Sequence, residues 1–178
     1  KSELFFENKV IDYLTKIGGT KQWEYRPEIK DSVALWSNFK RILEQNNRGR
    51  LDKELSIVEF NQVKRVINQL DTPYKAGQFL YGVNGVSQVE VDLDNGEHVF
   101  LTVFDQAQVG GGNTVYQVVN QIEREKVVPG KPNRRFDVTL LINGLPIVQI
   151  ELKSAMRPAN EALNQMEQYI AECQYSGI

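Results

Sequence analysis

The chain has 178 residues, of which 41% are apolar and 25% charged, with 21 basic against 23 acidic side chains for a net charge of −2. That length suits one domain with a proper core, and near-neutrality excludes a surface that grips nucleic acid as a whole while leaving local basic patches open. No apolar run approaches a membrane span and no signal-peptide pattern opens the chain. The single cysteine, Cys173, excludes an internal disulfide and fits a reducing cytoplasm. The chain opens at Lys1 without methionine and stops at Ile178, so it is expected to be a piece of a longer protein.

In chain order, Ser2 to Ile17 reads as a helix, with Ser2 as N-cap, Gly18-Gly19 as the stop and Phe6, Val10, Tyr13, Leu14 and Ile17 on one face. Glu7 borders that stripe, placed either at the solvent boundary or pointing along the helix towards a site. Trp23 to Pro27 reads as a short extended piece. Val33 to Gln45 is a second helix, and Ser56 with Glu59 forms a capping-box pattern opening a third, to about Leu70. These two make an inserted helical pair without evident chemistry. Val86–Leu93 and Val99–Phe104 flank Asn95-Gly96 as a hairpin. It carries His98, the only histidine, read as structural rather than catalytic. Gly110-Gly111-Gly112 lacks the Lys-Ser/Thr ending of a phosphate-binding loop. Val115 to Ile122 reads as a strand, and Asn160 to Gln174 as a final helix with Leu163, Met166, Ile170 and Cys173 on its core face. Five basic residues against two acidic ones between Glu123 and Arg135 read either as a solvated loop or as a phosphate-contacting patch.

The stretch from Arg135 to Lys153 carries the chemistry. Two runs of Val, Ile and Leu flank Asn143-Gly144, a strong hairpin signal. Among these apolar residues stand Asp137, Glu151 and Lys153, and charges in a buried strand are costly unless paired or holding a metal. The chain contains three Glu-x-Lys tripeptides. Glu7-Asn8-Lys9 lies on a helix, where i and i+2 do not share a face, and Glu28-Ile29-Lys30 lies in a loop. Glu151-Leu152-Lys153 is expected on a strand, where they do. Two converging carboxylates suit a hard cation such as Mg²⁺, and a neighbouring lysine can orient a water or neutralise developing charge. The alternative is a set of ion pairs that stabilise the sheet.

Register sets a condition on this site. A plain two-residue Asn143-Gly144 loop pairs Ile142 with Leu145 and, counting back, Asp137 with Ile150, which puts Asp137 and Glu151 on opposite faces. Convergence therefore requires an irregularity. A bulge provides one. So does a wider loop such as Ile142 to Pro146, which Pro146 favours because it cannot donate to a ladder.

These residues resemble the PD-(D/E)xK nuclease signature and, more narrowly, the N-terminal domain of the R (motor and cleavage) subunit of type I restriction enzymes. The resemblance rests on Arg135-Phe136-Asp137-Val138, Asn143-Gly144-Leu145-Pro146 and Ile150-Glu151-Leu152-Lys153, with Gln165 and Tyr169 matching a Gln-x-x-x-Tyr element on the next helix. Asn113 to Gln121 resembles the strand before the signature, and Glu7 fits the first-helix glutamate. Phe136 stands where the signature usually has Pro.

What the resemblance implies is an α/β fold with a restriction-endonuclease-like core, a mixed sheet flanked by helices. On that expectation the core comprises residues 1–19 and 107–178, an insertion of a helical pair and a hairpin spans 20–106, and the chain stops before the last core strand. It implies a Mg²⁺-dependent DNA endonuclease in which Asp137 and Glu151, with Glu7 as an outer candidate, bind the metal. Lys153 would act on the water or transition state, and Gln165 and Tyr169 would support the site or contact DNA. The implied setting is bacterial or archaeal cytoplasm. There the parent protein translocates double-stranded DNA with ATP, beside methyltransferase and specificity subunits. A module of the same fold that has lost catalysis and only binds DNA or couples subunits is the competing reading, and a repair nuclease of the same superfamily is a third.

Overall fold

The computed structural model describes residues 3–16, 22–110, 112–124 and 134–152. The chain divides into a first unit, running to Trp36 and resuming at Tyr116, and a second from Ser37 to Val115. The insertion expected from the sequence spans 20–106. Residues up to Trp36 instead belong to the first unit, because Trp23–Tyr25 pairs into its sheet and Ile29, Ala34 and Leu35 pack against it.

The first unit contains helix α1 (Glu3–Lys16), strand β1 (Trp23–Tyr25), and strands β4 (Tyr116–Arg124), β5 (Arg134–Ile142) and β6 (Leu145–Ile150). Its sheet runs β1-β4-β5-β6. β1 is parallel to β4 and the other two pairings are antiparallel, so the sheet is mixed. Alternation along the strands builds two cores. Ile11 packs with Val118 and Val138 on the α1 face, extended by Val10, Leu14, Leu140, Ile150 and Leu152. On the other face, Val119, Ile122 and Leu141 pack with Ile29, Ala34 and Leu35. Val118, Val119, Val138 and Leu141 are each 0% exposed, and full burial of such side chains stabilises by about 1.5–3 kcal/mol apiece.

The second unit holds the rest of helix α2 (Ser32–Asn46), within which the division falls, followed by α3 (Ile57–Asn68), α4 (Pro73–Tyr81), and the hairpin of β2 (Val86–Asp92) and β3 (His98–Asp105). Four α-helices are present among the described residues, and three of them lie between β1 and β2. The expected helical pair is therefore a trio. α4 does carry its own start signal: Thr72 accepts a bond from Lys75 N–H as N-cap and Pro73 fills the first turn. The Ser56–Glu59 capping box forms as expected, with both reciprocal bonds present. Buried Glu59 also accepts from Asp94 N–H at 2.8 Å, tying the helix start to the β2–β3 turn. Its pKa is lowered, first by that bond, against the opposing effect of burial. Buried Asn47 donates to Thr102 O and accepts from Thr102 N–H, at 2.9 and 2.8 Å, pairing with β3 as a neighbouring backbone would.

Candidate functional site

The β5–β6 turn is a two-residue loop. Ile142 pairs with Leu145 and Leu141 with Pro146, so the wider loop is not formed. Asn143 (φ 51°) and Gly144 (φ 81°) are both left-handed, the requirement of a type I′ turn. The register then shifts: Leu140 pairs with Val148, leaving Ile147 as the extra residue of a bulge. Beyond it Thr139 pairs with Gln149 and Val138 with Ile150. Carried one step further, the same count sets Asp137 opposite Glu151, and opposite residues project to one face. The bulge is one of the two irregularities that convergence of the carboxylates required.

The ladder itself stops at Ile150. Glu151 and Leu152, expected on the strand, lie just past it, both half-buried. Here the Asp137 side chain takes over from the backbone: Leu152 N–H donates to Asp137 Oδ2 at 2.6 Å. A charged acceptor on a backbone donor makes a short, strong bond, so Asp137 is oriented by the segment that carries Glu151. A carboxylate has acceptor capacity for several partners at once, so this bond is compatible with a cation between the two groups. The donor set is all oxygen, the set Mg²⁺ prefers.

Glu7 is held by side-chain amides of β4. Its side chain is 2% exposed, not at the solvent boundary. Asn120 Nδ2 donates to its Oε1, and Gln121 Nε2 donates to its Oε2 at 2.5 Å. Asn120 Oδ1 in turn accepts from Lys30 Nζ at 2.5 Å and from Tyr25 O–H at 3.0 Å, and Lys30 also donates to Asn120 O. The Tyr25 hydroxyl is raised in pKa by burial and then by the Glu7 charge, against the Asn120 bond. Glu7 sits one turn before Ile11 on the α1 face, whereas Asp137 alternates with Val138 of that face. Glu7 and Asp137 thus start from opposite faces of the sheet. Among the described residues, no group of three or more His, Cys, Asp or Glu side chains is gathered as a metal cluster.

Gln121 has φ 57°. For a non-glycine residue this costs roughly 1–2 kcal/mol. The Gln121 amide bond to the buried Glu7 carboxylate is worth about 1.5–3 kcal/mol, enough to offset it. Tyr25, Lys30, Asn120 and Gln121 are not among the candidate site residues read from the sequence, where Lys30 enters only in the Glu28-Ile29-Lys30 tripeptide set aside as a loop. The available signal was the Asn-Gln pair interrupting Val118-Val119 and Ile122, since polar side chains in a buried strand need partners.

Lys153, Gln165 and Tyr169, together with the final helix and Cys173, lie outside the described residues, as does most of the basic stretch before Arg135. His98 is exposed and bonded to Asp92 across the β2–β3 pair, consistent with a structural role. No helix among the described residues is long and apolar enough to cross a membrane.

Comparison with known proteins gives a consistent result. The family described as type I restriction enzyme R protein N terminus matches residues 3–176. The endonuclease subunit of a type I restriction enzyme from Staphylococcus aureus (strain MSSA476) is 30% identical over 181 residues, covering 100% of this chain and 17% of that protein. A Staphylococcus saprophyticus endonuclease subunit of the same type is 30% identical over 153 residues, covering 84% of this chain and 15% of its own length. The EcoprrI endonuclease subunit of Escherichia coli is 29% identical over 184 residues, with 97% of this chain and 50% of the relative covered.

Proposed function

Since the chain belongs to the family of type I restriction enzyme R protein N-terminal regions, we propose that it is the Mg²⁺-dependent DNA endonuclease domain of a restriction-system R subunit, built on a PD-(D/E)xK core. The observation that carries this reading is the β6 bulge, which shifts the register to Val138↔Ile150; continued one step, that register would put Asp137 and Glu151 opposite each other instead of on separate faces. A bulge next to a pair of carboxylates fits the habit of such irregularities to re-aim side chains at active sites.

Asp137 and Glu151 would hold the cation, with Leu152 N–H orienting Asp137. Mg²⁺, when bound, supplies charge stabilisation at the phosphodiester and a lowered pKa for water. Lys153, two residues from Glu151, would position the attacking water or neutralise charge as it develops. Gln165 and Tyr169 would support the site or touch the DNA backbone. ATP-driven translocation of double-stranded DNA would belong to a motor further along the protein, acting with methyltransferase and specificity subunits in the bacterial cytoplasm. The chain spans 17% of the Staphylococcus aureus relative's length, which leaves ample room for such a motor there.

The test uses the full-length protein assembled with its partner subunits, on circular DNA with ATP and Mg²⁺. Lys153→Ala and Glu151→Ala are expected to abolish cutting while translocation continues. Undiminished cutting overturns the catalytic assignment. Loss of translocation in a normally folded variant indicates a coupling module instead.

A further inference from the structure

We infer that Glu7 is a positioning residue: clasped by the side-chain amides of Asn120 and Gln121, it holds Gln121 in a left-handed conformation and keeps the β4–β5 ladder open opposite Asp137. Its consequence for catalysis rests on the proposed nuclease reading; its structural part does not.

Three observations meet at this point. First, β4 pairs with β5 through Asn120↔Val138 and resumes at Ile122↔Phe136, skipping the step that would join Gln121 to Asp137. Second, Gln121 is the one non-glycine residue with positive φ inside a strand among the described residues; Asn84 and Asn143 lie in turns. Third, the side-chain parity slips at the same place. Successive strand residues normally point to opposite faces, yet Asn120 and Gln121 both donate to Glu7. Ile122 then joins Val119 and Leu141 on the other face.

The orientation of Asn120 is determined by its neighbours. Lys30 and Tyr25 both donate to its Oδ1, which turns its Nδ2 towards Glu7. Glu7 thereby reaches Asp137 through the backbone of β4, not through a shared cation. The β5–β6 bulge sets the face of Glu151 and the β4 kink opens the ladder beside Asp137, so the carboxylate pair is flanked by an irregularity on each side.

The experiment has a structural arm and a kinetic arm. Crystal structures of full-length Glu7→Gln and of Gln121→Met, which removes the amide at nearly constant shape, are expected to show residue 121 with negative φ and a restored pair with Asp137. Should Glu7→Gln fail to fold, Gln121→Met decides alone. Retention of positive φ in the folded variants overturns the inference, whatever the protein's activity. In the assembled enzyme, both variants are expected to raise the Mg²⁺ concentration for half-maximal cutting by about tenfold, the usual effect of losing a residue that orients a ligand. Gln121→Gly, which accepts a left-handed backbone without the amide, is expected to stay near wild type. A changed Mg²⁺ requirement in Glu7→Gln but not in Gln121→Met shows Glu7 acting on the metal itself and overturns the inference. If the wild-type complex does not cut DNA at all, the nuclease reading fails and the structural arm still decides the role of Glu7.

Discussion

The chain builds two Asn-Gly hairpins, one in each unit, and uses charge in them in opposite ways. In β2–β3 the pairing ends at Asp92↔His98 and leaves a loop from Leu93 to Glu97 with Gly96 at φ 89°. Val89, Val91, Leu101 and Val103 point inward, while Glu90, Asp92 and His98 stand exposed on the opposite face together with Phe100. In β5–β6 the loop is reduced to Asn143-Gly144, and Asp137 is half-buried with its carboxylate on Leu152 N–H. Both hairpins contain a register shift. The contrast shows that a dipeptide fixes the existence of a turn but not its length, and that a charged strand residue is informative when burial makes it costly. On a solvated face the same residue is ordinary.

Removing a carboxylate from each hairpin tests that contrast most strongly. Asp137→Ala is expected to reduce cutting by the assembled enzyme at least about 10²-fold, the scale on which a charge-stabilising group contributes to a transition state. Asp92→Ala is expected to leave cutting unchanged. Equal effects of the two, measured as initial rates on circular DNA, would remove the distinction between the hairpins.

The next effect in size is on stability. Glu59 bonds Ser56 N–H at 2.6 Å and Asp94 N–H at 2.8 Å, so Glu59→Ala leaves two donors without their acceptor and should cost about 1–3 kcal/mol. Because its folded pKa is depressed, Glu59 stabilises above the unfolded carboxylate pKa of about 4.3. That contribution is lost as pH falls through the lower folded value. Urea unfolding of wild type and variant should therefore differ at neutral pH and converge in acid; a constant difference would contradict the assignment.

Much of this was legible in the sequence, where local rules carried the information. The α3 capping box, both hairpins and the need for a register irregularity between Asp137 and Glu151 followed from spacing alone. The location of the irregularity did not, because Pro146 signals a break in the ladder without distinguishing a wide loop from a bulge. β1 was readable as an extended piece at Trp23 to Pro27, but three residues have no measurable period and so did not reveal that it joins the main sheet beside β4. The environment of Glu7 was hidden for a different reason. Its partners are 113 and 114 residues away, and a border position on a helix does not reveal what the opposing strand presents. The left-handed turn at Gln121 had no local signal, since neither glycine nor asparagine marks it.

Deleting Ile147 addresses the bulge directly and should have a smaller effect. The side chain is 37% exposed, and without the extra residue a regular two-residue hairpin already pairs Leu140 with Val148 and brings Asp137 opposite Glu151. Cutting should therefore persist and thermal melting should shift little. Loss of activity in a folded deletion variant would mean that the bulge shapes the site beyond correcting its parity.

The smallest expected effect returns to the exposed hairpin. His98 Nδ1 lies 2.7 Å from Asp92 Oδ1, and its Nε2 lies 3.6 Å from Glu90 Oε2. The Asp92 bond raises its pKa; desolvation opposes this, and the charges of Asp92 and then Glu90 add to the rise. A raised folded pKa means that protonated His98 stabilises the hairpin fully below the unfolded histidine pKa. This contribution disappears as pH rises through the folded value. Since the pair is exposed, salt should screen it. NMR titration of the single histidine should show a pKa above the ordinary value in low salt, moving back towards it in high salt and in Asp92→Asn. An unshifted His98 in wild type would show that the cross-strand bond is not maintained in solution, leaving β2–β3 held by its apolar face alone.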